Sequence, residues 1–266
     1  MERPRITVPE LDFEKTYTEI TNFIRKIVEE ANAEGVVIGL SGGVDSSLVA
    51  TLCVRALDKT RVLGILLPTN FTPQEDVDDA RELAEWLGIR TELMDIQPIS
   101  KVFSQALQCD PTNLGQRMPM ANILARIRMI IFYYYANLHR YLVVGTGDRS
   151  EDLIGYFSKY GDGGVDFLPI DHLYKTQVRA LAKYLGVPDK VAFKPSSPQL
   201  YPGHKATDDI PVDYEQLDLI LVGLYDQNLS PEAVSTRTKI PIPIVHEVQR
   251  RFNESKHKRA YPPIVS

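Results

Sequence analysis

Residues 11–144 alternate short apolar runs with stretches of helical spacing, a pattern that predicts an α/β protein: an open parallel sheet with helices on both faces. Two observations carry this reading. The runs 36–40, 62–67, 91–96 and 141–144 have strand length, and the segments between the early ones repeat their apolar residues at helical intervals and end at Gly35 and Gly88. A run of small residues, Ser41-Gly42-Gly43-Val44-Asp45-Ser46, also follows the first strand directly, and sheets of this class bind ligands beyond the carboxyl ends of their strands.

Taken in order, residues 11–34 read as an amphipathic helix through Ile20, Ile24, Ile27, Val28 and Ala31, closed by Gly35. Strand 36–40, the small-residue loop and a helix to about Leu57 follow, then strand 62–67, closed by Pro68. Pro73 opens a helix through Leu87, Gly88 caps it, and 91–96 reads as the third strand. A long helix around 121–138 carries large apolar residues on more than one face. Core packing uses one face, and a subunit interface is the expected use of the rest. Strand 141–144 runs into a polar, glycine-rich segment, 145–166, and further helices read at about 174–186, 213–227, 231–238 and 242–254. The stretch from Lys194 to Pro211 lacks periodicity, as functional or mobile loops do.

Bulk composition bounds the function. The 266 residues fit one domain spanning 1–266, and 44% hydrophobic with 24% charged residues is ordinary for a globular chain. A net charge of −5 argues against a general nucleic-acid binder. No apolar run approaches the roughly 20 residues that span a bilayer. The N-terminus, Met1 to Arg5, lacks the apolar core of a signal peptide, so a cytoplasmic protein without membrane attachment is expected. Two cysteines are too few for a disulfide scaffold; Cys53 reads as core, and neither it nor Cys109 sits in a nucleophile motif.

The loop Ser41–Ser46 has the physical features of a phosphate site. Free backbone N–H groups, the positive end of the following helix, and hydroxyls of Ser41, Ser46 and Ser47 converge there. Gly42 and Gly43 let the backbone approach an anion. Asp45 would repel phosphate unless a divalent cation lies between, as Mg²⁺ does when one or two carboxylates and phosphate oxygens hold it. The plainer reading is an ordinary strand-to-helix turn with an early-helix carboxylate. The loop is not a Walker A motif, and it resembles the pyrophosphate loop of the ATP pyrophosphatase superfamily, whose members cleave ATP between the α- and β-phosphates.

The second segment is Gly145-Thr146-Gly147-Asp148-Arg149-Ser150-Glu151, continuing through Gly155-Tyr156-Phe157-Ser158-Lys159-Tyr160-Gly161-Asp162-Gly163-Gly164-Val165-Asp166. By itself it could be a solvated surface loop. With Leu173–Val178 and the run Ser255-Lys256-His257-Lys258-Arg259 followed by Pro262-Pro263, it resembles the ammonia-dependent NAD synthetases, in consistent order over residues 15–263. That resemblance implies an adenine-nucleotide hydrolase-like, Rossmann-type fold and a definite reaction. The carboxylate of deamido-NAD is adenylylated by ATP, pyrophosphate leaves, and ammonia displaces AMP to give NAD.

The resemblance also implies residue roles. Gly39, Leu40, Ser41, Gly42, Gly43, Val44, Asp45 and Ser46 would hold ATP together with Thr146, Lys175 and Ser197; Asp45 and Glu151 would ligate Mg²⁺; Asp45 and Lys175 would be catalytic. Arg126, Lys159, Asp166, His257 and Lys258 would contact deamido-NAD, and a homodimer is implied with that substrate near its interface. Arg126 and Arg128 are two apart and face different sides of a helix. A lysine at a helix start, as Lys175 is, opposes the helix dipole, and a nearby phosphate would explain it. The family often carries W-x-G-Q-x-D-E-x-E-L-G where this chain has Tyr201–Pro211, so roles from that segment do not transfer; His204 within it reads equally as a general base or an exposed loop histidine.

Two other functions compete. One is a different adenylylating enzyme on the same loop, such as a tRNA-thiolating enzyme or the synthetase part of GMP synthetase; thiolation calls for reactive cysteines, and these two form no motif. The other is a non-catalytic adenine-nucleotide-binding module, which would not need acids beside the phosphates. Glutamine as nitrogen donor would require an activated nucleophile, typically a cysteine with a base. Neither cysteine has one, so free ammonia is the expected donor.

Overall fold

The computed structural model describes residues 5–265 apart from positions 111, 198 and 202; Met1–Pro4, read above for a signal peptide, lie outside these. In chain order come α1 (Phe13–Glu30), β1 (Gly35–Gly39), α2 (Val44–Leu57), β2 (Val62–Leu66), α3 (Gln74–Leu87), β3 (Arg90–Leu93), α4 (Gln97–Ala106), α5 (Leu114–His139) and β4 (Tyr141–Val143). The shorter α6 (Arg149–Ile154), α7 (Lys175–Tyr184), α8 (Asp189–Ala192) and α9 (Ala206–Asp209) follow, then α10 (Tyr214–Leu221), α11 (Pro231–Thr238) and α12 (Ile242–Glu254).

The four strands form one parallel sheet in the order β3-β2-β1-β4, so the α/β expectation holds. Successive strand side chains point to opposite faces, and the core divides accordingly. Val36 and Ile38 pack with α1, α2, α3 and α7 on one face, while Val37, Leu63 and Ile65 pack with Leu124, Ile127 and Ile131 of α5 on the other. A third apolar cluster gathers α10, α11 and α12 around Leu217, Ile220 and Val245, with Ile154 of α6 and Ile6 from the N-terminal segment. Among the described residues no helix is long and apolar enough to cross a membrane.

Several boundaries differ from the sequence reading for local reasons. The third strand ends at Leu93, because Asp95 turns the chain by accepting the Gln97 N–H at 2.8 Å and α4 begins there. The long helix starts at Leu114, seven residues earlier than expected, with Asn113 accepting the Gly115 N–H at 2.9 Å as its N-cap. Pro119, a breaker in the sequence, sits inside it near the start. The expected helix 213–227 is α-helical only to Leu221 and continues as a π-turn over Val222–Asp226. Helices α6, α8 and α9 are too short to show clear periodicity, whereas α4, which the sequence reading did not single out, carries Ile99, Val102, Phe103 and Ala106 at helical spacing.

Candidate active site

The phosphate loop leaves the carboxyl end of β1 and enters α2, whose N-cap is Gly43. Gly42 adopts φ +76°, a conformation that favours glycine. The serines chiefly shape the loop. Ser46 and Ser47 are buried and donate to the Gly43 carbonyl at 3.1 and 2.8 Å, while Ser41 Oγ accepts the Gly43 N–H at 3.2 Å and lies 3.1 Å from Ser46 Oγ. Ser41 is exposed, and Ser46 and Ser47 are turned inward, contrary to their expected role as free donors.

Below the loop lies a buried charge cluster. The Lys175 side chain is fully enclosed, and its Nζ donates to Asp45 Oδ1 at 2.7 Å and Glu151 Oε1 at 2.9 Å. It also stands 2.7 Å from Asp148 Oδ2. Burial would pull this ammonium down, but the three carboxylates outweigh it and hold Lys175 well above the usual lysine range. Tyr214 of α10 donates to Glu151 Oε1 at 3.0 Å, and the Tyr214 ring lies 4.9 Å from Lys175 Nζ. Burial raises Glu151 above the ordinary range despite the lysine. A cation at the start of α7 is therefore explained by carboxylates, where the sequence suggested a phosphate.

Three carboxyl groups against one ammonium leave two in excess. Asp45 and Glu151 keep 22% and 21% side-chain exposure and line a cavity of ≈240 Å³ with the phosphate loop; Asp148 has none. This donor set fits a divalent cation held by two carboxylates and phosphate oxygens.

An adjoining cavity of ≈170 Å³ shares Ser41, Thr146 and Ser197 and continues inward as an apolar slot formed by Leu40, Ile65, Leu67, Phe132 and Val144. Together the two are in the size class of small-ligand sites. Gly39 keeps the slot open: a Cβ there would lie 2.5 Å from the Phe132 ring. The expected ATP residues Gly39–Asp45, Thr146 and Ser197 thus meet around the two cavities, with Lys175 beneath them.

The expected dinucleotide residues are gathered only in part. Arg126 donates to the Lys159 carbonyl at 3.1–3.3 Å, and Lys159 Nζ donates to the His257 carbonyl at 2.6 Å. Lys258 Nζ donates to the carbonyls of Gly155 and Phe157, both at 2.8 Å, and so clamps this loop. Asp166 makes none of these contacts; it accepts the Val143 N–H at 2.7 Å and the Tyr133 hydroxyl at 3.0 Å.

Sequence reasoning missed Asp148 and Tyr214, and left Arg128 without a role although it lines both cavities. Burial lowers the Arg128 guanidinium to about 10, against the pull of Asp162, so it stays protonated at neutral pH. A signal for Asp148 existed: an N-cap residue three positions before a glutamate marks a helix start. Lys194 and Gln199, in the expected loop, are fastened to α3. Lys194 bridges Asp76 and Asp79 of α3 at 2.5 Å each, and Gln199 Nε2 donates to Asp76 Oδ2 at 2.5 Å. His204 is neither exposed nor facing the cavities: its ring is buried, stacks on Tyr201 at 3.7 Å and pairs with Asp209 at 2.6 Å.

Residues 16–262 match the family model for NAD synthase. The NH(3)-dependent NAD(+) synthetase of Hyperthermus butylicus is 51% identical over 263 residues, covering 97% of this chain and 94% of that protein. An NMN synthetase structure from Francisella tularensis superposes with TM-score 0.83 at 30% identity, covering 96% of this chain and 99% of that one. An NH3-dependent NAD synthetase from Campylobacter jejuni gives 0.79 at 32% identity, covering 97% and 100%.

Proposed function

The chain belongs to the NAD synthase family and catalyses the ATP-dependent amidation of deamido-NAD by ammonia; we propose that the two joined cavities and the charge cluster beneath them are where this happens. The observation that carries the assignment is the contact of Asp45 and Glu151 with one buried lysine directly below a phosphate-type loop. The adenosine of ATP fills the apolar slot, and its phosphates meet the N–H groups at the start of α2. Thr146 and Ser197 flank the phosphates. Asp45 and Glu151 would hold Mg²⁺, which supplies positive charge to the phosphate oxygens when bound.

The basic loop made by Arg126, Lys159 and His257, clamped by Lys258, receives the anionic dinucleotide and directs its carboxylate to the α-phosphate. Attack of the carboxylate oxygen breaks the α–β bond, releases pyrophosphate and leaves an acyl-adenylate. Ammonia then attacks the activated carbonyl, loses a proton, and expels AMP. Lys175 keeps the two carboxylates in place throughout. Asp166 orders the end of β4 through Val143 and Tyr133, beside the dinucleotide path.

The chain acts as one synthetase domain in the cytoplasm, as a homodimer. Ile130, Tyr134 and Leu138 recur every four residues on α5 and are each more than half exposed. Neither cysteine is placed to split glutamine. Cys53 is fully buried, which pushes its thiol far above the usual range, and Cys109 Sγ lies against Met120 Sδ at 3.3 Å.

The test uses purified protein with ATP and Mg²⁺. Either deamido-NAD or nicotinic acid mononucleotide is supplied with ammonium or glutamine, while AMP, pyrophosphate and amide product are measured. NAD formation from deamido-NAD and ammonium is the expected outcome, with little product from glutamine. Preferential amidation of the mononucleotide would move the substrate assignment, and equal NAD formation from ammonia-free glutamine would overturn the donor.

A further inference from the structure

Asp148 carries no role in the reaction as described, yet it is among the most completely buried acids in the molecule, with a relative exposure of 0%. Its two carboxylate oxygens do separate work. Oδ1 accepts the Glu151 N–H at 2.9 Å and caps α6, the helix that carries Glu151. Oδ2 lies 2.7 Å from Lys175 Nζ, on an ammonium that also holds Asp45 and Glu151. The same side chain thus fixes the backbone under one carboxylate of the phosphate site and the cation that positions both.

The geometry around Lys175 makes this anchoring necessary. Its backbone N–H donates to Ser150 Oγ at 2.9 Å, which secures the start of α7 but does not itself fix where the four-carbon side chain places its ammonium. The two carboxylates that face the cavity would draw the ammonium toward the opening. Asp148 pulls it from the buried side, so that Nζ rests between the three. We infer that Asp148 is a positioning residue for the phosphate site, keeping Lys175 back so that the cavity-facing oxygens of Asp45 and Glu151 stay clear for a divalent cation. This rests on the assignment of those two residues to the cation.

Replacement by serine separates the two functions, because serine retains the helix cap and cannot reach the lysine. The probe is Mn²⁺ alone, followed by its electron paramagnetic resonance signal as it binds, together with the Mg²⁺ requirement for pyrophosphate release. In folded Asp148→Ser the Mn²⁺ dissociation constant and the half-saturating Mg²⁺ concentration should each rise about tenfold, as loss of a group supporting a metal ligand does. The KM for deamido-NAD should stay within about twofold, since the basic loop is untouched, and alanine, which loses the cap as well, should also lower thermal stability. Changes below threefold in both metal readouts would overturn the inference. Should the serine variant fail to fold, Asp148→Asn, which keeps the size and the capping oxygen, carries the same test. Wild-type protein that binds no Mn²⁺ overturns the cation assignment as well; wild-type binding left unchanged by the substitution overturns only the role of Asp148.

Discussion

Gly42 and Asp76 are in backbone contact: a Cβ on Gly42 would lie 2.2 Å from the Asp76 carbonyl oxygen. The phosphate loop therefore runs directly across the first turn of α3, whose Asp76 side chain also holds Lys194 and Gln199. Both the positive φ and the missing space exclude any other residue at position 42.

Gly42→Ala should accordingly displace the loop from α3. The strained conformation alone costs about 1–2 kcal/mol, and the collision adds to it. A lowered melting temperature and at least a hundredfold loss of pyrophosphate release are expected. A variant as stable and as active as wild type would show that the loop has room to move.

Asp45→Asn and Glu151→Gln should each fold and lose most of their Mg²⁺-dependent turnover. Each removes one of the two partly exposed carboxylates and leaves Lys175 with the other and with Asp148. Steady-state rates over a range of Mg²⁺ concentrations check this, and near-wild-type activity in either folded variant would remove it from the cation site.

Lys175→Met should affect stability as well as catalysis, which sequence alone did not indicate. Three carboxyl groups then share a buried space without a counter-charge, and breaking such an arrangement costs about 3–5 kcal/mol. Divalent cation should restore part of that loss, seen as a rise in melting temperature on adding Mg²⁺ larger than in wild type. Single-turnover AMP formation should fall about 10–100-fold, as loss of a group that orients metal ligands does. An unchanged rate and melting temperature would contradict the role.

Asp171 sits between Pro169 and the start of α7, with one oxygen buried and lacking a hydrogen-bond partner among the described residues. Burial and the neighbouring Asp152 raise its carboxyl to about 6. A group protonated more readily when folded than unfolded weakens the fold as pH rises through that interval. Asp171→Asn should therefore raise the melting temperature at pH 7, and the gain should shrink as pH falls from about 6 to 4. Equal gain at pH 7 and pH 4 would mean that charge is not the cause.

A double substitution Ile130→Glu with Tyr134→Asp on the exposed face of α5 should convert the proposed dimer to monomer in sedimentation at micromolar concentration. Wild-type protein that already sediments as a monomer would refute the dimer, and a variant that stays dimeric would place its interface elsewhere.

The fold was legible where the signal is local. Strands β1 and β2, helix α2 and the loop between them follow from short apolar runs and contiguous glycines, and Gly88 ends α3 with φ +67° as a C-cap should. Asp45 was legible from its place in the phosphate loop, whereas Glu151 and Lys175 came from motif resemblance, since Lys175 lies 130 positions from Asp45 and no periodicity links them. Tyr214 and Asp148 escaped because their meaning is a contact: Tyr214 reaches Glu151 across 63 positions. His204 misled because a histidine in an aperiodic loop gives no sign of the Tyr201 ring and Asp209 carboxylate that enclose it.

The Lys258 clamp has a consequence for how the molecule is made. Its ammonium seals the carbonyls of Gly155 and Phe157, 103 and 101 residues earlier, while Arg259 reaches Asp152 and Leu153 over similar separations. Gly155, at φ +65°, also faces Ser255 so closely that a Cβ would lie 2.2 Å from the serine Cβ. Contacts that close such long stretches form late, after the entropy of bringing distant segments together has been met. Residues 152–157 are synthesised about a hundred positions before the residues that clamp them, so their loop stays unsecured until residues 255–259 have left the ribosome.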